Sequence, residues 1–81
     1  MLYAKFMYSD SGYASDIEIA KNAGLKIGQR YEVEDLSMGQ SYTSIYLKRI
    51  GGPFNSVQFD YEEEDGTPVN IYEDKRYNPY M

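Results

Sequence analysis

Leu2 to Tyr8 interleaves Tyr, Phe and Met with polar positions in near alternation, a pattern that suits a half-buried pleated strand better than a helix. Ser9-Asp10-Ser11-Gly12 is turn chemistry. Ser15-Asp16-Ile17-Glu18 then fits the S-x-x-E capping box, Gly24 supplies a stop, and Ile17, Ala20 and Ala23 or Leu25 fall at helical spacing. One helix of about two turns is predicted there, with Asp16 and Glu18 complementing its N-terminal dipole.

From Leu25 the period changes to two. Ile27-Gly28 leads into Tyr31-Glu32-Val33-Glu34, a strand with Tyr31 and Val33 on one face and the glutamates on the other, broken by Ser37-Met38-Gly39-Gln40-Ser41. Tyr42 to Ile50 forms the next strand, where Ile45 and Leu47 alternate with Ser44, Tyr46 and Lys48. Gly51-Gly52-Pro53 reads as a turn, because glycine frees the backbone and proline cannot donate to a ladder. A fourth strand is predicted over Phe54 to Tyr61, with Val57, Phe59 and Tyr61 opposing Gln58, Asp60 and Glu62. Asp65-Gly66 bends a hairpin that returns through Val69-Asn70-Ile71-Tyr72, and Asn78-Pro79 ends regular structure.

Four to five short strands with one helical excursion predict a mainly β (α+β) fold, either a small SH3-like barrel or a strongly bent antiparallel sheet. The predicted inward set is Phe6, Leu25, Ile27, Tyr31, Val33, Ile45, Leu47, Val57, Phe59 and Ile71. Eighty-one residues close one hydrophobic core, so residues 1–81 are expected to form a single domain.

Composition narrows the chemistry. With neither cysteine nor histidine there is no disulfide, thiolate nucleophile, Ser-His-Asp triad or ordinary zinc site. Thirteen acidic against eight basic side chains give a net charge of −5, which disfavours non-specific attraction to nucleic acid or an anionic membrane. No stretch approaches the roughly 20 apolar residues of a membrane span, and the amino terminus lacks a secretory pattern, so a soluble, cytoplasmic protein is expected.

Charge and aromatic residues carry the candidate sites. Along a strand, Asp60, Glu62 and Glu64 present a row of carboxylates, which either imitates a phosphate backbone or serves solubility and edge protection. Glu32 and Glu34 extend that reading if the two strands are neighbours. An EF-hand loop beginning at Asp60 fails, because Asp65 stands where glycine is required and Ile71 where glutamate is required, and no metal site is expected. Glycoside hydrolysis needs two carboxyls held about 5 to 9.5 Å apart across a cleft, which a chain of this size scarcely provides. The glycines at 24, 28, 51 and 52 are not followed by the Lys-Ser/Thr of a phosphate loop. No enzymatic activity and no cofactor are expected.

The runs Gly28-Gln29-Arg30-Tyr31-Glu32-Val33, Gly39-Gln40-Ser41-Tyr42-Thr43-Ser44-Ile45-Tyr46-Leu47 and Phe54-Asn55-Ser56-Val57-Gln58-Phe59 resemble small proteins encoded by phages and prophages of Gram-positive bacteria. The ending Arg76-Tyr77-Asn78-Pro79-Tyr80 is similar too. The resemblance covers nearly the whole chain and carries no established activity. It implies a setting inside an infected host, where small acidic proteins often act by binding a host or phage protein.

Ten tyrosines exceed what a core of this size needs. Tyr3, Tyr8, Tyr31 and Tyr61 are expected in or near the core, whereas Tyr42, Tyr46, Tyr72, Tyr77 and Tyr80 are expected to point outward. Exposed tyrosine offers large contact area at low entropic cost and so marks a protein-binding surface. It also stacks on single-stranded nucleic acid, but such a groove wants cations, and here only Lys48-Arg49 and Lys75-Arg76 cluster. The leading expectation is a non-enzymatic module binding a host or phage protein through Tyr42, Tyr46, Tyr72, Tyr77, Tyr80 and the acidic Asp60, Glu62 and Glu64. One biological form would inhibit a host defence or nucleic-acid-processing protein. The alternatives are a nucleic-acid-binding barrel using Lys48 and Arg49, and an assembly subunit that self-associates.

Overall fold

Alternation of burial builds the central strands of the protein, whose structure, a computed structural model, describes residues 1–39 and 41–80. Gln40, expected in a break between strands, and Met81, expected in the tail, lie outside the described residues. Strand β1 (Leu2–Phe6) buries Leu2, Ala4 and Phe6, and β3 (Thr43–Leu47) buries Thr43, Ile45 and Leu47, each as the two-residue period predicts. The other elements are α1 (Ala14–Asn22), β2 (Arg30–Met38), β4 (Gly51–Asn55), a 3-10 turn (Ser56–Gln58), β5 (Phe59–Glu63) and β6 (Pro68–Val69). All six strands form one antiparallel sheet in the order β4-β3-β2-β1-β5-β6.

The sheet is strongly bent. Its long strand β2 pairs with β1 through Arg30 to Glu32 and with β3 from Val33 onward, with a bulge between Val33 and Asp35. Strands β4 and β5 stand first and fifth in the order, which in a flat sheet separates them by roughly 19 Å at the usual strand spacing. Yet the rings of Phe54 on β4 and Phe59 on β5 lie 6.3 Å apart. The sheet therefore wraps around one core of Leu2, Ala4, Phe6, Ala20, Ile45, Leu47, Phe54, Phe59, Tyr61 and Ile71. It does not close, because β4 and β6 remain its two edges.

Several boundaries depart from the predicted ones for local reasons. The helix begins one residue before Ser15, with Tyr13 as N-cap. Asp16 at the third helical position accepts the Tyr13 N–H at 2.9 Å, so the reverse half of a capping box is made by a residue other than the predicted pair. At the other end Gly24, at φ +76°, stops the helix as predicted. Strand β2 continues to Met38, past the expected break at Ser37. The turn after β3 falls at Lys48 to Ile50, with Ile50 N–H donating to the Leu47 carbonyl, and Gly51-Gly52-Pro53 lies inside β4 instead of forming that turn.

The predicted strand over Phe54 to Tyr61 is interrupted by the 3-10 turn, where Asn55 Oδ1 accepts the Val57 N–H and the Tyr61 hydroxyl donates to the Ser56 carbonyl at 2.8 Å. That turn inverts the expected facing. Val57 is 47% exposed, whereas Gln58 is buried. Ile27 is 65% exposed because it sits at the tip of the turn closed by Gln29 N–H on the Lys26 carbonyl. Of the predicted inward set, Phe6, Ile45, Leu47, Phe59 and Ile71 are buried, Leu25, Tyr31 and Val33 pack on the core's margin, and Ile27 and Val57 do not belong to it. Strand β6 stops at Val69, and Ile71 reaches the core from a turn. Among the described residues, no helix is long and apolar enough to cross a membrane.

Candidate functional site: a tyrosine-walled groove

Four chain segments that are distant in sequence meet above the N-terminus of α1. They are the loop before the helix, the β2–β3 loop, the 3-10 turn and the carboxy-terminal turns. Between them lies an open groove of about 760 Å³, walled by Tyr13, Tyr42, Tyr72 and Tyr80 and floored by Asn55 and Ser56. That volume is in the range of ordinary ligand sites.

One buried carboxylate joins three of the four segments. Asp16, 6% exposed, takes the Tyr42 hydroxyl on Oδ1 at 2.9 Å. On Oδ2 it takes the Asn55 side-chain amide at 3.0 Å and the Tyr13 N–H at 2.9 Å. Burial pushes this carboxyl's pKa up, but the donors from Asn55, Tyr13 and Tyr42 outweigh it and hold the group below its ordinary value. Tyr42 responds in the opposite sense: burial, then its bond to Asp16, push the phenol up to about 12. Gly12, at φ +90°, leaves the room this cluster needs, since a Cβ there would stand 3.0 Å from Asp16 Oδ2 and 3.1 Å from Asn55 Nδ2.

The fourth segment is tied separately. The Tyr72 hydroxyl and Ser56 Oγ share a 2.6 Å hydrogen bond, and Asn78 donates its side-chain amide to the Tyr72 carbonyl at 2.6 Å. Asn78 Oδ1 accepts the Tyr80 N–H. Ile71, fully buried, and Tyr77, packed against the core, anchor the same stretch from beneath. These hydrogen bonds pre-form the groove, with the Asn55–Asp16 bond buried beneath it, while its rims stay accessible, Tyr13 being 69% and Tyr80 60% exposed.

Three of the five tyrosines expected to face outward, Tyr42, Tyr72 and Tyr80, converge here. Tyr46 is half-buried on β3 and does not line the groove. Tyr77 is half-buried with the Arg76 guanidinium 5.2 Å from its ring centre. Tyr8, expected near the core, is exposed and donates its hydroxyl to Asp60 at 2.9 Å.

The acidic residues lie elsewhere, on β5 and the turn after it. Asp60 and Glu62 share the outward face of β5, whereas Glu64 falls in the turn, so the row is shorter than expected. Glu32 and Glu62 both stand opposite Tyr3, which makes the two acidic patches neighbours across β2-β1-β5. Cations are interleaved with them: Arg30 Nε meets Glu62 at 2.6 Å, Lys48 meets Glu32 at 3.0 Å and Arg76 meets Glu63 at 2.8 Å. Lys48 is therefore already paired, and Arg49 occupies the β3–β4 turn at φ +70°. Among the described residues, no group of three or more carboxylates is placed to hold a metal ion.

Sequence reasoning missed Tyr13, Asn55 and Ser56 as groove residues and assigned Asp16 only to the helix dipole. An aspartate at the third position of a helix is a signal for capping, but nothing local announces that its second oxygen is used by Tyr42, 26 residues away.

A family profile described as bacteriophage T4 protein Y07B matches residues 1–81. The chain belongs to that family. No curated protein and no solved structure matches it. Membership supports the phage origin implied by the resemblance, and the Y07B description names no activity.

Proposed function

We propose that this Y07B-family protein is a non-enzymatic protein-binding module whose tyrosine groove receives a segment of a host or phage protein. The observation that carries the reading is the convergence of Tyr13, Tyr42, Tyr72 and Tyr80 on one groove held open by the buried Asp16 cluster. Tyr42 and Tyr72, whose hydroxyls are already held by Asp16 and Ser56, lose little side-chain entropy on association, which favours a recognition surface. In its narrower form the reading is an inhibitor of a host defence or nucleic-acid-processing protein. The SH3-like description of the fold is supported by the bulged β2 shared between two parts of the sheet and by the 3-10 turn joining β4 to β5.

The test is affinity capture from lysates of infected Gram-positive and Gram-negative hosts, using the wild-type chain beside a Tyr13→Ala/Tyr80→Ala variant. Both substitutions are at exposed positions, so the variant keeps its fold. A partner protein retained by wild type and lost by the variant is the expected result. Capture of the same proteins by both, or of nucleic acid alone, overturns the reading.

A further inference from the structure

Two arginines of this protein lie over tyrosine rings. Arg30 sits 4.4 Å from the centre of Tyr3, and Arg76 sits 5.2 Å from that of Tyr77. The four tyrosines of the groove have no such partner among the described residues, and no lysine or arginine lines the groove at all. A negative charge nevertheless lies under its floor, because Asp16 bonds Asn55 and Tyr42 from below. The paired cations Arg30, Lys48 and Arg76 are held at Glu62, Glu32 and Glu63, outside the groove.

Building on the protein-binding reading above, we propose that the groove accepts an arginine side chain presented by a basic segment of the partner protein. Aromatic walls attract a cation through the negative faces of their rings. The buried carboxylate adds a Coulomb attraction that solvent screens less than it screens an exposed charge. A planar guanidinium suits such a site better than an ammonium, since it also stacks and is more weakly hydrated. The chain's net charge of −5 steers a basic segment toward it.

The probe is a short synthetic peptide with one arginine flanked by glycine and serine, compared with the same peptide carrying citrulline, which keeps the shape and removes the charge. Binding is read by amide chemical shifts of the labelled full-length protein. The proposal predicts shifts confined to residues around Tyr13, Tyr42, Val57 and Tyr72, weakening with added salt. The citrulline peptide should bind about tenfold more weakly, equivalent to ~1.4 kcal/mol. Tyr13→Phe should keep the affinity, because the ring remains, and Tyr13→Leu should lose it.

Equal binding of the two peptides overturns the proposal, as does the absence of any shift. Shifts centred on Asp60 to Asp65 would move the basic segment to the acidic turn and overturn it equally. If a captured partner depends on Tyr13 and Tyr80 while the citrulline comparison shows no difference, the arginine proposal falls and the protein-binding reading stands.

Discussion

Replacing Asp16 tests the physical basis of the groove. Asp16→Ala strips the acceptor from three donors at once, and one of them, the Asn55 amide, belongs to a buried residue. Hydrogen bonds to a charged acceptor are worth about 1.5 to 3 kcal/mol each by deletion, and the alanine recovers part of the cost of burying a carboxylate. A net loss of about 3 kcal/mol results, a large part of the roughly 4 to 12 kcal/mol expected for a domain of this length. Asp16→Asn behaves differently. Its carbonyl can still accept from Tyr13 and Asn55, and its amide can donate to the Tyr42 oxygen, so only the charge is lost and the cost is about 1 kcal/mol.

Urea unfolding followed by circular dichroism measures both variants, with an unchanged m-value showing that only stability has moved. The pH dependence adds a sign. Asp16 is held below its ordinary value in the folded protein, so its contribution is fully present above the unfolded carboxyl's pKa of about 3.9 and is lost as pH falls from there through the lower folded value. The stability gap between wild type and Asp16→Asn should therefore narrow below about pH 4. A loss under about 1 kcal/mol for Asp16→Ala, or equal losses for both variants, would refute the claim that this carboxylate organises the groove.

Other perturbations check the fold and separate the two faces. Leu47→Ala, at a fully buried position of β3, should cost about 2 to 5 kcal/mol in the same unfolding assay. Gly52→Ala should cost about 3 kcal/mol, because at φ +152° a Cβ would stand 2.7 Å from the Ile45 carbonyl oxygen. Gly24→Ala, at φ +76° with open space around it, should cost only about 1 to 2 kcal/mol. Glu62→Lys sets an ammonium against Arg30 and should lose about 1 kcal/mol, reduced by salt, whereas Glu64→Lys should stay within about 0.5 kcal/mol. Both lysine variants should keep their affinity for a partner seated in the groove, as titration calorimetry would show.

The strands that alternate cleanly were legible before the fold was known. β1 and β3 carry their apolar residues at every second position, and the turn glycines at 24 and 66 both adopt positive φ. What failed depends on tertiary geometry. Asn55 caps a 3-10 turn in the middle of an apparently continuous β pattern, and that turn, held also by the Tyr61 hydroxyl on the Ser56 carbonyl, places Val57 out and Gln58 in. Gly51-Gly52-Pro53 has turn composition, yet its conformational freedom is used to bring β4 against the Ile45 carbonyl.

The site shows the same division. An excess of tyrosines pointed to an aromatic surface, and three of the five expected to face outward share one groove. Its organisation rests on Asp16, whose contacts to Tyr42 and Asn55 span 26 and 39 positions of the chain. The acidic run looked like a continuous negative surface in sequence. Arg30, Lys48 and Arg76, brought in by pairing of β2, by the β3–β4 turn and by the tail, intersperse it with positive charge.

The central claim is that the tyrosine groove is where a partner protein binds. Hydrogen exchange on the captured complex, compared with the free protein, addresses it most directly. The account predicts new protection in residues 38–39, 41–43, 55–57 and 72–80 and none over 60–66. Protection confined to 60–66, or to the outward face of β2-β1-β5, would contradict it.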